Sequence, residues 1–289
     1  MPLQKDNRTD AHGELGMERL SPARRIFKHA IFNPVANYMP AGVLKALLKF
    51  SKSQLAAANW KDPGGWKSMA ICYEGRCRQI ADRVLVNAGI MSMAVRNRKR
   101  LGAHLLAELI AECPEKPAHV LCLGAGPGNI ILDALERARL RKLEACATLV
   151  DVSAEAFEFG LQQAAKRGLD KHVRYIQADV RELHKFLDRP AHVVKMLGIC
   201  EYLTDEQIVT IAQAACQLMP RWAAIVFNSL NRAHGTDRFF RRVFGLHMNH
   251  RSASQVEALM RQAGFADFTV HHEPLGVFDV IVGRKAASV

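Results

Sequence analysis

The sequence predicts an α/β chain: a doubly wound, mostly parallel seven-stranded sheet with an antiparallel edge strand, preceded by a helical N-terminal lid. Three observations predict it. After Pro117 short apolar runs alternate with helical stretches, the rhythm of a parallel sheet covered on both faces. The last two strand-like runs have only a short link between them, so they pair antiparallel at an edge. Before Pro117 the text is helical, with apolar residues at the helical period.

The elements follow in order. Residues 1–20 are polar and are expected to be disordered. Residues 21–116 make the helical lid, in which Ser21-Pro22 opens a helix and AGVLKALLKFSKSQLAAA extends the helical text to about residue 57. The run NWKDPGGWKSM (59–69) is a turn, because Asp-Pro-Gly-Gly forbids a regular element. Two further helices are expected at 70–89 and 92–112, and Pro114 and Pro117 end the section. The sheet domain occupies 117–289. Strands are expected at 118–124, 145–152, 172–179, 191–198 and 223–230, with helices at 128–141, 154–168, 181–187 and 204–219 between them. Thr204 and Gln207 form a T-x-x-Q capping box that starts the last of these helices. A helix at 252–265 then leads to strands at 267–273 and 278–285.

Composition narrows the class. Hydrophobic residues are 49% of 289, enough for a sizeable core. No apolar run approaches the roughly 20 residues that span a bilayer. The N-terminus lacks a signal-peptide pattern, so a cytoplasmic chain is expected. The seven cysteines are scattered without a C-x-x-C pair, which fits reduced, structural thiols and no metal site. The net charge of +12 is uneven: residues 1–110 hold 18 Lys and Arg against 8 Asp and Glu, the remainder 22 against 20. That bias fits a solvated helical surface or an anionic partner, such as an acyl or peptidyl carrier, a phosphate-bearing substrate or a membrane surface. No zinc finger, aromatic–basic signature or basic repeat supports nucleic acid.

The chemistry concentrates where the first strand turns into the first helix, in VLCLGAGPGN (120–129). Glycines there let the chain turn tightly and let a ligand touch the backbone, and the following helix presents free N–H groups. Asp151 ends the second strand and can accept both hydroxyls of an adenosine ribose; Asp179 ends the third and can accept the adenine amino group. A phosphate-binding P-loop would need Lys-Ser/Thr after the glycines, but Asn129-Ile130 follows. A dinucleotide site would put glycine three after Gly126, where Asn129 stands. The spacing favours S-adenosylmethionine, which has no pyrophosphate to hold.

On these motifs the chain resembles the class I S-adenosylmethionine-dependent methyltransferases, over about 118–285. VLCLGAGPGN matches their first motif, LVDVSAEAFEFG their second and YIQADVREL their third, and residues 191–203 occupy their fourth. The resemblance implies a Rossmann-like fold and S-adenosylmethionine as cofactor. It implies that Gly124, Ala125, Gly126 and Gly128 line the methionine part, that Asp151 and Val152 hold the ribose and adenine side, and that Asp179 and Val180 flank the adenine. Gly198 would lie in the loop over the cofactor. The chain departs from the family at Cys122, where an acid usually helps to hold the amino group, and at His192, expected to be a partly exposed residue at the strand's entry.

The candidates for chemistry lie at the strand ends. MLGICEYLTDEQI (196–208) leaves Glu201 and Tyr202 in the loop over the cofactor, as base or substrate holder and as hydroxyl donor; the competing reading is a surface Glu201 and a half-buried, packing Tyr202. FNSLN (227–231) puts Asn228 and Ser229 at the end of the fifth strand. CYEGRCRQIADR places Tyr73, Cys77 and Ile80 on one helical stripe, with Tyr73 able to reach the pocket. The cluster RNRKR, including Arg96 and Arg100, is either a solvated face or an anion clamp for the substrate. His247 and His250, after the fifth strand, are further substrate candidates. GICEYL, MNHRSASQVEALMRQAGF and EPLGVFDVIVGRK resemble a methyltransferase branch that acts on small metabolites and borders on azetidine-2-carboxylate synthases, which cyclise the cofactor itself. Three functions are therefore expected to compete: methylation of a small-molecule acceptor, cyclisation of S-adenosylmethionine with release of methylthioadenosine, and non-catalytic binding by a basic adaptor.

Overall fold

The computed structural model describes residues 15–185 and 189–287. The expected tail at residues 1–14 lies outside the described residues. Residues 15–20 are ordered against the body: the Glu18 carboxylate takes Arg96 Nε at 2.5 Å and Nη2 at 2.7 Å, and the Glu18 N–H donates to Asn97 Oδ1 at 2.7 Å.

The helical section is more broken than its periodicity implied. Helices run Pro22–Phe27 (α1), Asn33–Tyr38 (α2), Ala41–Phe50 (α3), Gln54–Lys61 (α4), Trp66–Glu74 (α5), Ile80–Asp82 (α6) and Ile90–Glu112 (α7). A π-helical turn, Lys28–Phe32, joins α1 to α2. Pro40 separates α2 from α3, and Ser53 caps α4 through the Ala56 N–H. The expected helix at 70–89 ends early because Gly75 takes a left-handed φ of 64°. That break also undoes the Tyr73–Cys77–Ile80 stripe, and Ile80 is 77% exposed.

The sheet follows the expected plan. Strands Ala118–Leu123 (β1), Ala145–Asp151 (β2), Val173–Gln177 (β3), Val193–Met196 (β4) and Ala224–Leu230 (β5) are parallel. Phe265–His272 (β6) and Phe278–Lys285 (β7) complete the order β3-β2-β1-β4-β5-β7-β6. The closing antiparallel pair is at the edge, with β7 inserted between β5 and β6. The helices between are Asn129–Leu140 (α8), Ala154–Lys166 (α9), Asp205–Gln217 (α10), Asp237–Phe239 (α11) and Ala253–Gln262 (α12). Thr204 and Gln207 make both bonds of the capping box. Ser252 and Gln255 make a second one at the start of α12.

Alternation along the strands divides the core. Val120, Cys122, Leu149 and Val226 face α7 and α8, while Leu121, Leu123, Val194 and Phe227 face α10 and α12. A third cluster packs Leu55, Val86, Val95, Phe239 and Phe244 into the junction of lid and sheet. His192 is buried, not partly exposed: its Nδ1 accepts the His119 N–H at 3.1 Å and its ring lies 5.1 Å from Trp222. Burial lowers its pKa and keeps it neutral. Among the described residues no helix is long and apolar enough to cross a membrane.

Candidate active site

The carboxyl ends of β1, β2 and β4 open into a cleft of about 330 Å³. Its wall begins with the glycine loop. Gly124, Gly126 and Gly128 have φ of 61°, 51° and 80°, a region costly for residues with a Cβ. At Gly128 a Cβ would stand 2.2 Å from Leu149 Cδ2, so here a side chain is excluded twice over. Gly128 caps α8 without a side-chain bond, and Asn129, Ile130 and Ile131 at that helix end line the cleft. The loop is held from behind by the Tyr175 hydroxyl, which donates to Pro127 O at 2.9 Å. Gly160 of α9 lets that contact form, since its Cβ would lie 2.6 Å from Pro127 O.

Asp151 is tied to the same loop. Its Oδ2 accepts the Gly126 N–H at 2.7 Å and its Oδ1 accepts the Ser153 N–H at 3.0 Å. A carboxylate has about four acceptor positions, so it retains capacity for two hydroxyls. Val152 and Val180 line the cleft beside it. Asp179 is placed differently. Its carboxylate takes Arg181 Nε and Nη2, that pairing lowers its pKa to about 2, and it is not among the lining residues.

The opposite wall comes from the lid. Asp62, Gly64 and Gly65, with Trp66, Met69 and Tyr73 of α5, face the glycine loop. The sequence predicts only a turn here, and its signal for a cleft wall is a Gly-Gly pair flanked by an acid and a tryptophan. Tyr202 reaches toward it, and a Cβ on Gly64 would stand 2.6 Å from its hydroxyl. Burial pushes the pKa of both Tyr73 and Tyr202 up, the Glu201 carboxylate adding to it, so both are neutral phenols able to donate.

Glu201 is not in the cleft. It is buried beneath it, accepting from Arg98 Nη1 at 2.6 Å and from Asn228 Nδ2 at 3.3 Å. Asn228 Oδ1 accepts the Gly198 N–H at 2.7 Å, and Gly198, at φ 84°, lets Arg98 come close. Glu201, Asn228 and Arg98 thus form a buried frame under the loop at 197–202, with Arg98 also touching the cleft. Ser229 points away from that frame and donates to Asp279 Oδ2 at 2.7 Å.

The cleft floor holds two residues that the sequence did not put together. Cys122 of β1 and Lys195 of β4 are register partners, 1% and 3% exposed, and both line the cleft. Burial raises the Cys122 pKa although the Lys195 ammonium draws it down. A cation therefore stands beside the position where the resemblance expects an acid.

The remaining candidates lie elsewhere. Arg96 and Arg100 both bind Glu18 and so hold the N-terminal segment to α7, while Lys99 pairs with Asp133 of α8 at 2.9 Å; the basic cluster is spent inside the fold. His250 stacks on His234 with their Nε2 atoms 2.9 Å apart, and His247 is exposed; neither lines the cleft. Among the described residues no group of three His, Cys, Asp or Glu side chains is placed to hold a metal ion.

Residues 120–221 match the model of a family described as a methyltransferase domain. No curated protein matches the chain. Among solved structures, a "possible exported protein" from Bordetella parapertussis superposes with TM-score 0.63 at 16% identity, over 77% of this chain and 80% of that one. The magnesium protoporphyrin IX methyltransferase of Synechocystis, with S-adenosylhomocysteine bound, gives 0.56 at 11% identity over 84% and 99%. An O-methyltransferase family protein from Burkholderia thailandensis gives 0.54 at 15% over 81% and 70%. At these identities the likeness is one of fold.

Proposed function

We propose, for a chain whose residues 120–221 match a methyltransferase-domain family, that it methylates a small-molecule acceptor with S-adenosylmethionine in the cleft between the glycine loop and the lid. One observation carries the reading: the bare backbone of 124–128, the Asp151 carboxylate and two neutral tyrosines converge on a single cleft. The residues fit the cofactor. Asp151 would hold the ribose hydroxyls, the glycine loop would take the methionine part, and Lys195 would pair with its carboxylate. When bound, the cofactor supplies an electrophilic methyl on a sulfonium.

The chain's own work is to place the acceptor and exclude water, since an in-line displacement depends mainly on approach geometry. Trp66, Met69 and Leu197 supply apolar wall. Tyr73 and Tyr202 offer phenol hydroxyls to orient an acceptor oxygen or nitrogen. Arg98, neutralised by Glu201, stiffens the floor and presents its guanidinium edge to the cleft.

A second reading has one observation in its favour. Cys122 in place of an acid, with Lys195 beside it, leaves the cofactor's α-amine without a local counter-anion at the floor and favours its neutral form. A neutral amine could attack the γ-carbon, break the C–S bond and release methylthioadenosine and a proton, leaving azetidine-2-carboxylate.

Calorimetry with S-adenosylhomocysteine tests the shared premise, and no binding by folded protein overturns both readings. Incubation with S-adenosylmethionine, followed by mass spectrometry, separates them. S-adenosylhomocysteine formed only with an added acceptor supports methylation; methylthioadenosine formed without one supports cyclisation. Binding with neither product across an acceptor panel would make the chain a basic adaptor.

A further inference from the structure

We propose that residues 19–61 form an interfacial docking surface for an anionic lipid bilayer. The inference goes beyond the activity proposed above and does not depend on it. Between Glu18 and Asp62 the chain has eight Lys and Arg and no Asp or Glu. Lys28 turns inward and donates to Ala233 O at 2.9 Å. The other seven are exposed; among the described residues only Lys61 has a carboxylate nearby, that of Glu155, whose pKa it helps to lower. The positive excess of the N-terminal third is therefore not in RNRKR, which is consumed internally, but on this surface.

The same stretch of chain shows apolar side chains to solvent in two rows. Along the helical stretch Pro22–Tyr38, Phe27, Ile31, Val35 and Tyr38 follow spacings of four, four and three, which puts them on one face; they are 55%, 51%, 46% and 70% exposed. On α3, Val43, Leu47 and Phe50 repeat the pattern at 47%, 54% and 89%. These are not the packing faces, which carry Ala36 and Leu48. Arg24 and Arg25 flank the first row, and Lys45, Lys49 and Lys52 flank the second.

A soluble surface seldom shows so much aligned apolar area without an occupant. A second copy of this chain is disfavoured as that occupant. An isologous contact would press an acid-free, cationic face against itself. An anionic bilayer supplies both complements: headgroup phosphates for the Lys and Arg, and the acyl boundary for Phe27, Leu47 and Phe50. The surface leads through α4 into the Asp62–Gly65 loop that lines the cleft, so docking and lid belong to one stretch of chain.

Sedimentation of the full chain with vesicles tests it. Binding is expected to phosphatidylcholine vesicles containing about one third phosphatidylglycerol, to be at least roughly tenfold weaker on phosphatidylcholine alone, and to fall as salt is raised. Leu47→Ser with Phe50→Ser, and separately Lys45→Glu with Lys49→Glu, should each weaken binding about tenfold. Both should leave S-adenosylhomocysteine affinity unchanged, measured on the same samples. The proposal is overturned if the native chain ignores anionic vesicles, binds both vesicle types equally, or binds as well when either pair is changed. It is also overturned if the Phe50 change instead turns a dimer into a monomer, or if only an acidic soluble carrier is retained. Failure to bind S-adenosylhomocysteine would count against the methyltransferase reading alone.

Discussion

Arg98 and Glu201 form an ion pair beneath the cleft, Nη1 to Oε1 at 2.6 Å, with side chains 3% and 5% exposed. Removing one partner strands the other charge in the interior. Glu201→Ala is expected to lower the unfolding free energy by about 3–5 kcal/mol, read from urea denaturation. A Glu201 that served only as a solvent-facing base would leave the midpoint nearly unmoved.

Asp151 ties the glycine loop and faces the cleft. Asp151→Ala should weaken S-adenosylhomocysteine binding by about 1–3 kcal/mol, because it removes charge-assisted hydrogen bonds. Isothermal calorimetry on protein shown to be folded gives the comparison. Unchanged affinity would remove Asp151 from the cofactor site.

The three loop glycines are not equivalent. A Cβ on Gly128 would lie 2.2 Å from Leu149 Cδ2, whereas on Gly126 the nearest atom is Trp66 Cβ at 3.5 Å. Both substitutions carry the strain of positive φ, about 1–3 kcal/mol, but only Gly128→Ala adds a core clash. Thermal melts should show Gly128→Ala clearly less stable than Gly126→Ala. Equal losses would mean that the loop moves freely away from β2.

Lys195 is assigned the cofactor's carboxylate. Lys195→Met keeps the volume and removes the charge, and should cost about 1.5–3 kcal/mol of S-adenosylhomocysteine affinity. Methylthioadenosine has no carboxylate, so its affinity should hold. If both ligands weaken alike, Lys195 shapes the floor and does not touch the carboxylate.

His234 is fully buried, and burial first, with His250, Lys28 and Arg232 adding to it against Asp237, lowers its pKa from 6.5 to about 4. The native state therefore binds fewer protons than the unfolded state between those values. The stabilisation is complete above 6.5 and is lost as pH falls toward 4. Its size is about 3 kcal/mol for a shift of this order. Urea midpoints measured from pH 7 to pH 4 should fall, and His234→Phe should flatten that fall. A His234→Phe profile as steep as the native one would place the titrating group elsewhere.

The sheet was legible because its signals are local. Each β–α unit of 118–230 needs only an apolar run, a turn and an amphipathic helix, all within about twenty residues. The glycine loop and Asp151 were legible for the same reason, since in this topology successive strand ends share one edge. The side chains at 201, 228 and 229 were harder. Periodicity says that Glu201 follows β4 and that Asn228 and Ser229 end β5, but not which faces the cleft. Asn228 and Glu201 turned under it, and Ser229 turned to Asp279.

Taken alone, the order of residues determined the strand sequence, the loop at 124–128 and the acid at the end of β2, because these follow from short-range pattern and backbone sterics. Only the tertiary structure decided what long-range pairing controls. It set Cys122 beside Lys195 from strands some seventy residues apart, and folded Asp62–Tyr73 over the cleft. It also spent RNRKR on Glu18, Asp133 and Glu201 while leaving seven of the eight cations of 19–61 in solvent. A charge's meaning depends on what is brought within a few ångströms of it, and that distance is not written in the spacing of residues along the chain.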